Sequence, residues 1–218
     1  MSTRADRLRD LLSSKHLRHA EIRADAGSDT WTRANLSGRL VEISGQGATA
    51  SLTAAIGLVH EAQREGEPTA WITLPGSIFY PPDVADTGVD LAALAVVRVG
   101  SGRDAARAAD RLIRSGAFGL VVLDLARTRG TGGHIAMALQ GRLVGLAQKH
   151  DTAVVCVTDK STEAASIGSM VSLRVEVMRE AIGAPAGGFR CKVAVLKDKQ
   201  RGPSWHHAEV VRGPAGLR

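Results

Sequence analysis

From Gly38 onward, short apolar runs alternate with stretches whose apolar residues recur every three or four positions. The runs at 40–43, 70–73, 95–99, 120–123 and 153–157 are four or five residues long and carry at most one charge each. Between them lie helical patterns at 52–65, 104–115 and 133–149. In the second of these, Ala105, Ala108, Ala109, Leu112 and Ile113 share one face, and Arg103, Arg107, Asp110, Arg111 and Arg114 occupy the other. Gly116 closes that helix, as a glycine just past the last turn does. Strands that read as continuous apolar runs, separated by helices, predict a parallel sheet covered on both faces.

The pattern changes after Asp159. Residues 172–178, 190–196 and 206–211 alternate polar and apolar, with turn signals at 182–188 and 197–203, which predicts an antiparallel meander at the sheet edge. The intervening stretch 160–169 is rich in Ser, Thr, Ala and Gly, the composition of a mobile loop. At the other end, Leu8, Leu11 and Leu12 mark a short amphipathic helix over 3–14, followed by a polar linker at 19–35 in which Trp31 can anchor the segment. The expected organisation is an N-terminal helix and linker at 1–37, a core at 38–212 and a flexible tail at 213–218. No internal repeat or low-complexity tract interrupts it.

Composition narrows the function. No apolar run approaches the ~20 residues that span a bilayer, and the charged N-terminus does not read as a secretory signal. The expected setting is cytoplasmic and nucleoid-associated, with no membrane partner. Cys156 and Cys191 sit in apolar runs and are expected buried and reduced. The net charge of +6 is uneven, with +5 in residues 174–218 against −1 in residues 39–173. A basic segment on a neutral core points to an anionic partner, nucleic acid first, or to a solvated basic surface with no partner.

The stretch 38–53 has the order of a phosphate-binding loop: an apolar strand ending in Ser44-Gly45, a turn with Gly47, then a helical pattern through Leu52, Ile56 and Val59. Counted from Gly45 on the G-x-x-x-x-G-K-[ST] frame, the second glycine falls on Ala50, the lysine on Ser51 and the hydroxyl residue on Leu52. A lysine there would place a charge on the β- and γ-phosphates, and a hydroxyl would complete the magnesium shell. Ser51 carries no charge and Leu52 no oxygen.

Taken in order, these segments resemble the ATPase core of the RecA recombinase family from about residue 38 to 211. The resemblance is carried by Gly38-Arg39-Leu40-Val41-Glu42-Ile43 before the loop, Ala62-Gln63-Arg64-Glu65-Gly66 at the helix end and Thr87-Gly88-Val89-Asp90. It continues through Arg114-Ser115-Gly116-Ala117, the run from Leu120 to Asp124, and the strand from Lys192 to Lys199. The implied fold is α/β: a RecA-like core with a mostly parallel sheet flanked by helices and an antiparallel C-terminal extension. In the family a water-activating carboxylate follows the second strand; here Thr73, Leu74, Pro75, Gly76 and Ser77 offer none, and general-base hydrolysis requires one. Asp124 keeps the place of the magnesium-associated Asp and is expected to hydrogen-bond locally. The N-terminal region departs from the family's polymerising helix and strand.

The resemblance therefore implies a degenerate ATPase with no catalytic residue, cofactor or metal site, similar to the ImuA/SulA-like group. It implies an accessory role in DNA damage-induced mutagenesis and translesion synthesis. The implied partners are the RecA recombinase, an ImuB-like Y-family polymerase relative, an error-prone replicative-type polymerase complex and, as a further candidate, single-stranded DNA. A SulA-like inhibitor of FtsZ and a weak nucleotide- and DNA-binding recombinase paralogue are the alternatives. Arg127 and Arg129 stand where the family has its first DNA loop, and loop arginines can follow a phosphate backbone or touch only water. Lys160 opens the place of the second loop, which has no aromatic for base stacking. Arg190, Lys192, Lys197, Lys199 and Arg201 form a basic face for a phosphate backbone or acidic protein, or protect an edge strand from aggregation. Trp205 is a packing or partner-contact residue. The adjacent His206 and His207 point to opposite faces of a strand, which argues against a shared metal.

Overall fold

A computed structural model describes residues 31–47, 49–77, 79–126, 134–182, 188–202 and 205–212. The N-terminal helix over 3–14, most of the 19–35 linker, Arg127, Arg129 and the tail 213–218 lie outside the described residues.

Eight strands form one sheet in the order β3-β2-β4-β5-β1-β6-β7-β8. They are β1 (Leu40–Gly45), β2 (Thr69–Thr73), β3 (Leu94–Arg98), β4 (Leu120–Asp124), β5 (Ala153–Asp159), β6 (Leu173–Ala181), β7 (Gly188–Asp198) and β8 (His206–Arg212). Strands β1, β2, β4 and β5 are buried along nearly their whole length, as their apolar runs require when helices cover both faces. On one face, α2 (Ser51–Arg64) buries Ala54, Ala55, Leu58, Val59 and Ala62 against Val41, Ile43, Trp71 and Val155. On the other, α4 (Gly102–Arg114) and α5 (Met137–His150) pack Ala105, Ala109, Ile113, Leu143 and Ala147 onto Ile72, Leu123 and Cys156. Arg103, Arg107, Arg111 and Arg114 remain exposed on the outer face of α4, as the periodicity predicts, whereas Asp110, expected with them, is buried where Arg114 and Arg142 pair with it.

Three local differences from the sequence expectation have physical causes. Strand β6 is not simply part of an antiparallel meander. It pairs in parallel with β1, Val41 opposite Leu173 and Ile43 opposite Val175, and only its other edge pairs antiparallel with β7. The second difference is at α5, which begins at Met137 rather than 133. Ala136 is extended, with φ −58° and ψ 143°, and Ile135 before it is drawn into the core. Finally, the end of the linker is structured: α1 (Arg33–Leu36) is capped by Thr32, whose hydroxyl accepts from Asn35 N at 3.4 Å, and Trp31 and Leu36 are buried against α2 and its neighbours. A second short helix, α3 (Pro81–Ala85), starts on two prolines, whose fixed φ suits the first helical turn.

Candidate functional site at the carboxyl edge of the sheet

Strands β1, β2, β4 and β5 run the same way, and their registers place Gly45 beside Asp159 and Thr73 beside Asp124. Their carboxyl ends open on one edge, where ligands of parallel α/β sheets bind. The turn from β1 to α2, the residues after β2 and the end of β4 all meet there.

The β1–α2 turn is closed on itself. Thr49 forms an isolated bridge with Met178, and its hydroxyl donates to Val177 O at 2.5 Å. The same oxygen accepts from Ser51 N at 3.2 Å and lies 2.7 Å from Ser51 Oγ. It presses on Gly45 so closely that a Cβ on that glycine would clash with it. In a phosphate loop the first backbone N–H groups of the helix converge on the anion. Here the Ser51 N–H is directed at a threonine of its own loop. Ser51 is 3% exposed, Ala50 is buried, and Leu52 packs against the core. Gly47 holds the turn at φ +73°.

Asp124 is 1% exposed. Ser77 Oγ donates to its Oδ2 at 2.5 Å and in turn accepts from Phe79 N at 3.0 Å. Burial raises the Asp124 pKa above the ordinary carboxylate value, opposed by the Ser77 hydroxyl, the Ala126 amide and the nearby Trp71 indole. Neither Asp124 Oδ1 nor Trp71 Nε1 has a partner of hydrogen-bonding geometry among the described residues. Trp71 instead stacks on Phe79, with centroids 4.9 Å apart. A cavity of about 240 Å³ beside this pair is lined by Pro75, Ser77, Phe79 and Arg98, among other residues, none of them a carboxylate.

A folded pKa above the unfolded value means that the native state binds the proton more tightly. Stability attributable to Asp124 therefore rises as pH falls from neutrality through the folded pKa. Asp124→Asn is expected to leave stability at pH 7 unchanged or raised by up to about 1 kcal/mol. It should also flatten the rise on acidification, measured as urea midpoints from pH 7 to pH 4.5. A clear loss of stability at pH 7 contradicts this account.

Behind the edge lies a buried polar network that the sequence reading does not anticipate. Glu42, fully buried in β1, accepts from Thr158 Oγ1 at 3.0 Å and from Ile167 N at 3.0 Å, and pairs with Lys160 Nζ at 3.3 Å. Arg174 lies alongside, with Nε 3.9 Å from Glu42 Oε2 and 3.3 Å from Ser44 Oγ. Its other nitrogens donate to Ser161 O at 2.8 Å and to Ala164 O. The 160–169 segment is therefore tied to the sheet rather than loose, and Lys160 is engaged with it through both Glu42 and Ala165 O. The available signal was a charge inside an apolar strand, Glu42 between Val41 and Ile43.

The basic residues of the C-terminal strands make intramolecular contacts, while Arg190, Lys199 and Arg201 stay exposed at the surface. Arg190 and Lys192 each lie 3.6 Å from Glu180. Lys199 Nζ donates to Ser169 O at 2.6 Å and Arg201 to Asn35 Oδ1 at 2.8 Å. Burial, with the neighbouring Lys199 charge, lowers the Lys197 pKa. Trp205 is 7% exposed and donates its indole N–H to Asp198 at 3.0 Å, which makes it a packing residue rather than a surface contact. Cys156 and Cys191 are free and buried; burial, with the Glu209 charge, pushes the Cys191 thiol up to about 12. Among the described residues no group of three His, Cys, Asp or Glu side chains could hold a metal, and no helix is long and apolar enough to cross a membrane.

A parallel sheet in the order β3-β2-β4-β5-β1, helices on both faces, and a glycine turn leading from β1 into α2 define a recombinase-type α/β core with an antiparallel extension. Residues 33–195 match the model of the RecA N-terminal domain, and the chain belongs to that family. Protein RecA of Chlorobium chlorochromatii is 32% identical over 157 residues, covering 69% of this chain and 41% of the relative. Protein RecA of a Nocardioides species is 34% identical over 158 residues, covering 69% and 42%. That of Thermotoga petrophila is 29% identical over 162 residues, covering 71% and 44%. The chain thus spans about two fifths of the length of these curated relatives.

Proposed function

We propose that this chain is a RecA-fold protein whose nucleotide site no longer works, serving as an ImuA-like accessory factor in damage-induced mutagenesis. The observation that carries the reading is the filled phosphate loop. Thr49 occupies the concavity over Gly45, its hydroxyl takes the Ser51 N–H, and a buried serine stands at the lysine position. Two further features support it. Residues 73–77 supply no carboxylate to activate water, and Asp124 is turned into a hydrogen bond with Ser77. A domain that keeps the fold and not the chemistry acts through its surfaces. Its proposed partners are the RecA recombinase, an ImuB-like polymerase relative, the error-prone polymerase complex and single-stranded DNA.

A ligand that binds the native state stabilises it by RT ln(1 + [L]/Kd), about 2.7 kcal/mol at a hundredfold excess over Kd. Millimolar ATP with magnesium is therefore expected to leave the melting temperature unchanged, in contrast to a functional recombinase measured alongside. A reproducible upward shift would establish a nucleotide-binding paralogue instead. Co-purification with the ImuB-like protein and RecA from damaged cells tests the accessory role. Recovery of neither removes it.

A further inference from the structure

A cluster of arginines lies on the helical face opposite α2. Four arginines, Arg103, Arg107, Arg111 and Arg114, run along the outer surface of α4, and Arg142 faces them from α5. Arg107, Asp110, Arg111, Leu139 and Arg142 line a groove of about 590 Å³ between the two helices. Asp110, itself 9% exposed, is shared at its base by Arg114 Nη2 at 3.0 Å and by Arg142. Arg107 has only a 3.9 Å contact with Asp104, and Arg111 has no ion-pair partner among the described residues.

We propose that this groove docks an acidic protein segment carrying an apolar anchor residue. Arg103, Arg107, Arg111, Arg114 and Arg142 outnumber the neighbouring carboxylates Asp104 and Asp110, so the groove keeps net positive charge. Guanidinium groups match carboxylates in bidentate geometry, and the half-exposed stems of Arg107 and Arg142 bring methylenes to the rim. Leu139 is half buried in the wall and gives an apolar side chain a contact. A nucleic-acid backbone fits less well. Phosphates offer no apolar group to Leu139, whereas a peptide can set an apolar residue against it. Asp110 holds Arg114 and Arg142 in place, so part of the ordering cost is met before a partner arrives. The inference does not depend on whether the phosphate loop binds nucleotide.

Fluorescence anisotropy with a short labelled peptide, rich in Asp and Glu with one central Leu, tests it. The peptide should bind at low salt, more weakly as salt rises. The double variant Arg107→Glu/Arg111→Glu should weaken binding by about tenfold or more, through lost attraction and new repulsion. Arg190→Glu/Lys192→Glu on β7 should bind as wild type. Both changes are at exposed positions, and circular dichroism with a melting curve checks the fold. If the charge reversal unfolds the protein, Arg107→Ala/Arg111→Ala replaces it with the same expected direction. The proposal is overturned if the peptide fails to bind at low salt, or if the groove variants bind it unchanged. It is equally overturned if labelled single-stranded DNA is what loses affinity in them while the peptide does not bind. Self-association that disappears in those variants without peptide binding would assign the groove to a second copy and also overturn it.

Discussion

Glu42→Ala is expected to destabilise the protein by about 3–5 kcal/mol, because it leaves buried positive charge without its counter-ion. Glu42 is fully buried in the middle of the sheet, and Arg174 beside it is 5% exposed. Removing the carboxylate also leaves the half-buried Ile167 amide without its acceptor and Thr158 Oγ1 with only the 3.4 Å contact to Ile43 O. For a chain of this size each kcal/mol corresponds to about 2–4 °C of melting temperature. The same change frees the 160–169 segment, since Glu42 holds it through Ile167 and Lys160. Urea unfolding gives the energy, and amide exchange at Ile167 gives the local effect. The double variant Glu42→Leu/Arg174→Leu removes both charges and is expected to recover part of the loss. A Glu42→Ala protein within about 1 kcal/mol of wild type would show that the network contributes little.

The second large effect belongs to a separate ion pair at the other end of β1. Arg39 Nη2 donates to Asp198 Oδ1 at 2.6 Å, with side chains 4% and 0% exposed. Arg39 also reaches Ser172, while the Trp205 indole and the Gln200 amide donate to Asp198. Asp198→Ala strands a buried guanidinium and an indole N–H and is expected to cost about 3–5 kcal/mol. Burial by itself would raise the Asp198 pKa; the Gln200 amide, the Trp205 indole and Arg39 outweigh it and hold the carboxyl below the usual value. A folded pKa below the unfolded one contributes stability that is complete above the unfolded value of about 3.9 and is lost as pH falls through the folded pKa. Wild type should therefore lose stability steeply below about pH 4, and Asp198→Asn should show a shallower acid limb from a lower starting point. Parallel acid limbs for the two proteins would remove Asp198 from the pH dependence.

The two networks also mark where sequence reading ended. Strand positions, the three long helices and the order of glycine turns were readable because each is written in the spacing of neighbouring residues. The break in the phosphate loop was readable too, since Ser51 and Leu52 are simply not Lys and Thr. Other features were not. The partners of Glu42 and Arg39 lie 116 and 159 positions away, and no periodicity connects them. Trp205 read equally as a packing or a partner-contact residue, and the lysines of the last strands as a basic face with or without a partner. Their engagement with Asp198, Glu180 and Ser169 depends on how β7 and β8 fold back. The helical start at 133 failed for a related reason. Ile135 continues the apolar pattern, but it satisfies the core from an extended backbone.

The sequence by itself determined the class of fold, because burial on both faces demands continuous apolar strands and helices with one apolar face, and both are local patterns. It also determined that the loop after β1 lacks the side chains of a nucleotide site. Only the tertiary structure decided what became of that loop, since Thr49 reaches Val177 and Met178 across 128 or more positions. It decided as well that β6 runs parallel beside β1, that Arg190 and Lys192 pair with Glu180 at the surface, and that the arginines of α4 and α5 gather around Asp110 in one groove. Hydrophobic spacing is a property of the chain. The pairing of strands and the desolvation of charge are properties of what the chain brings together.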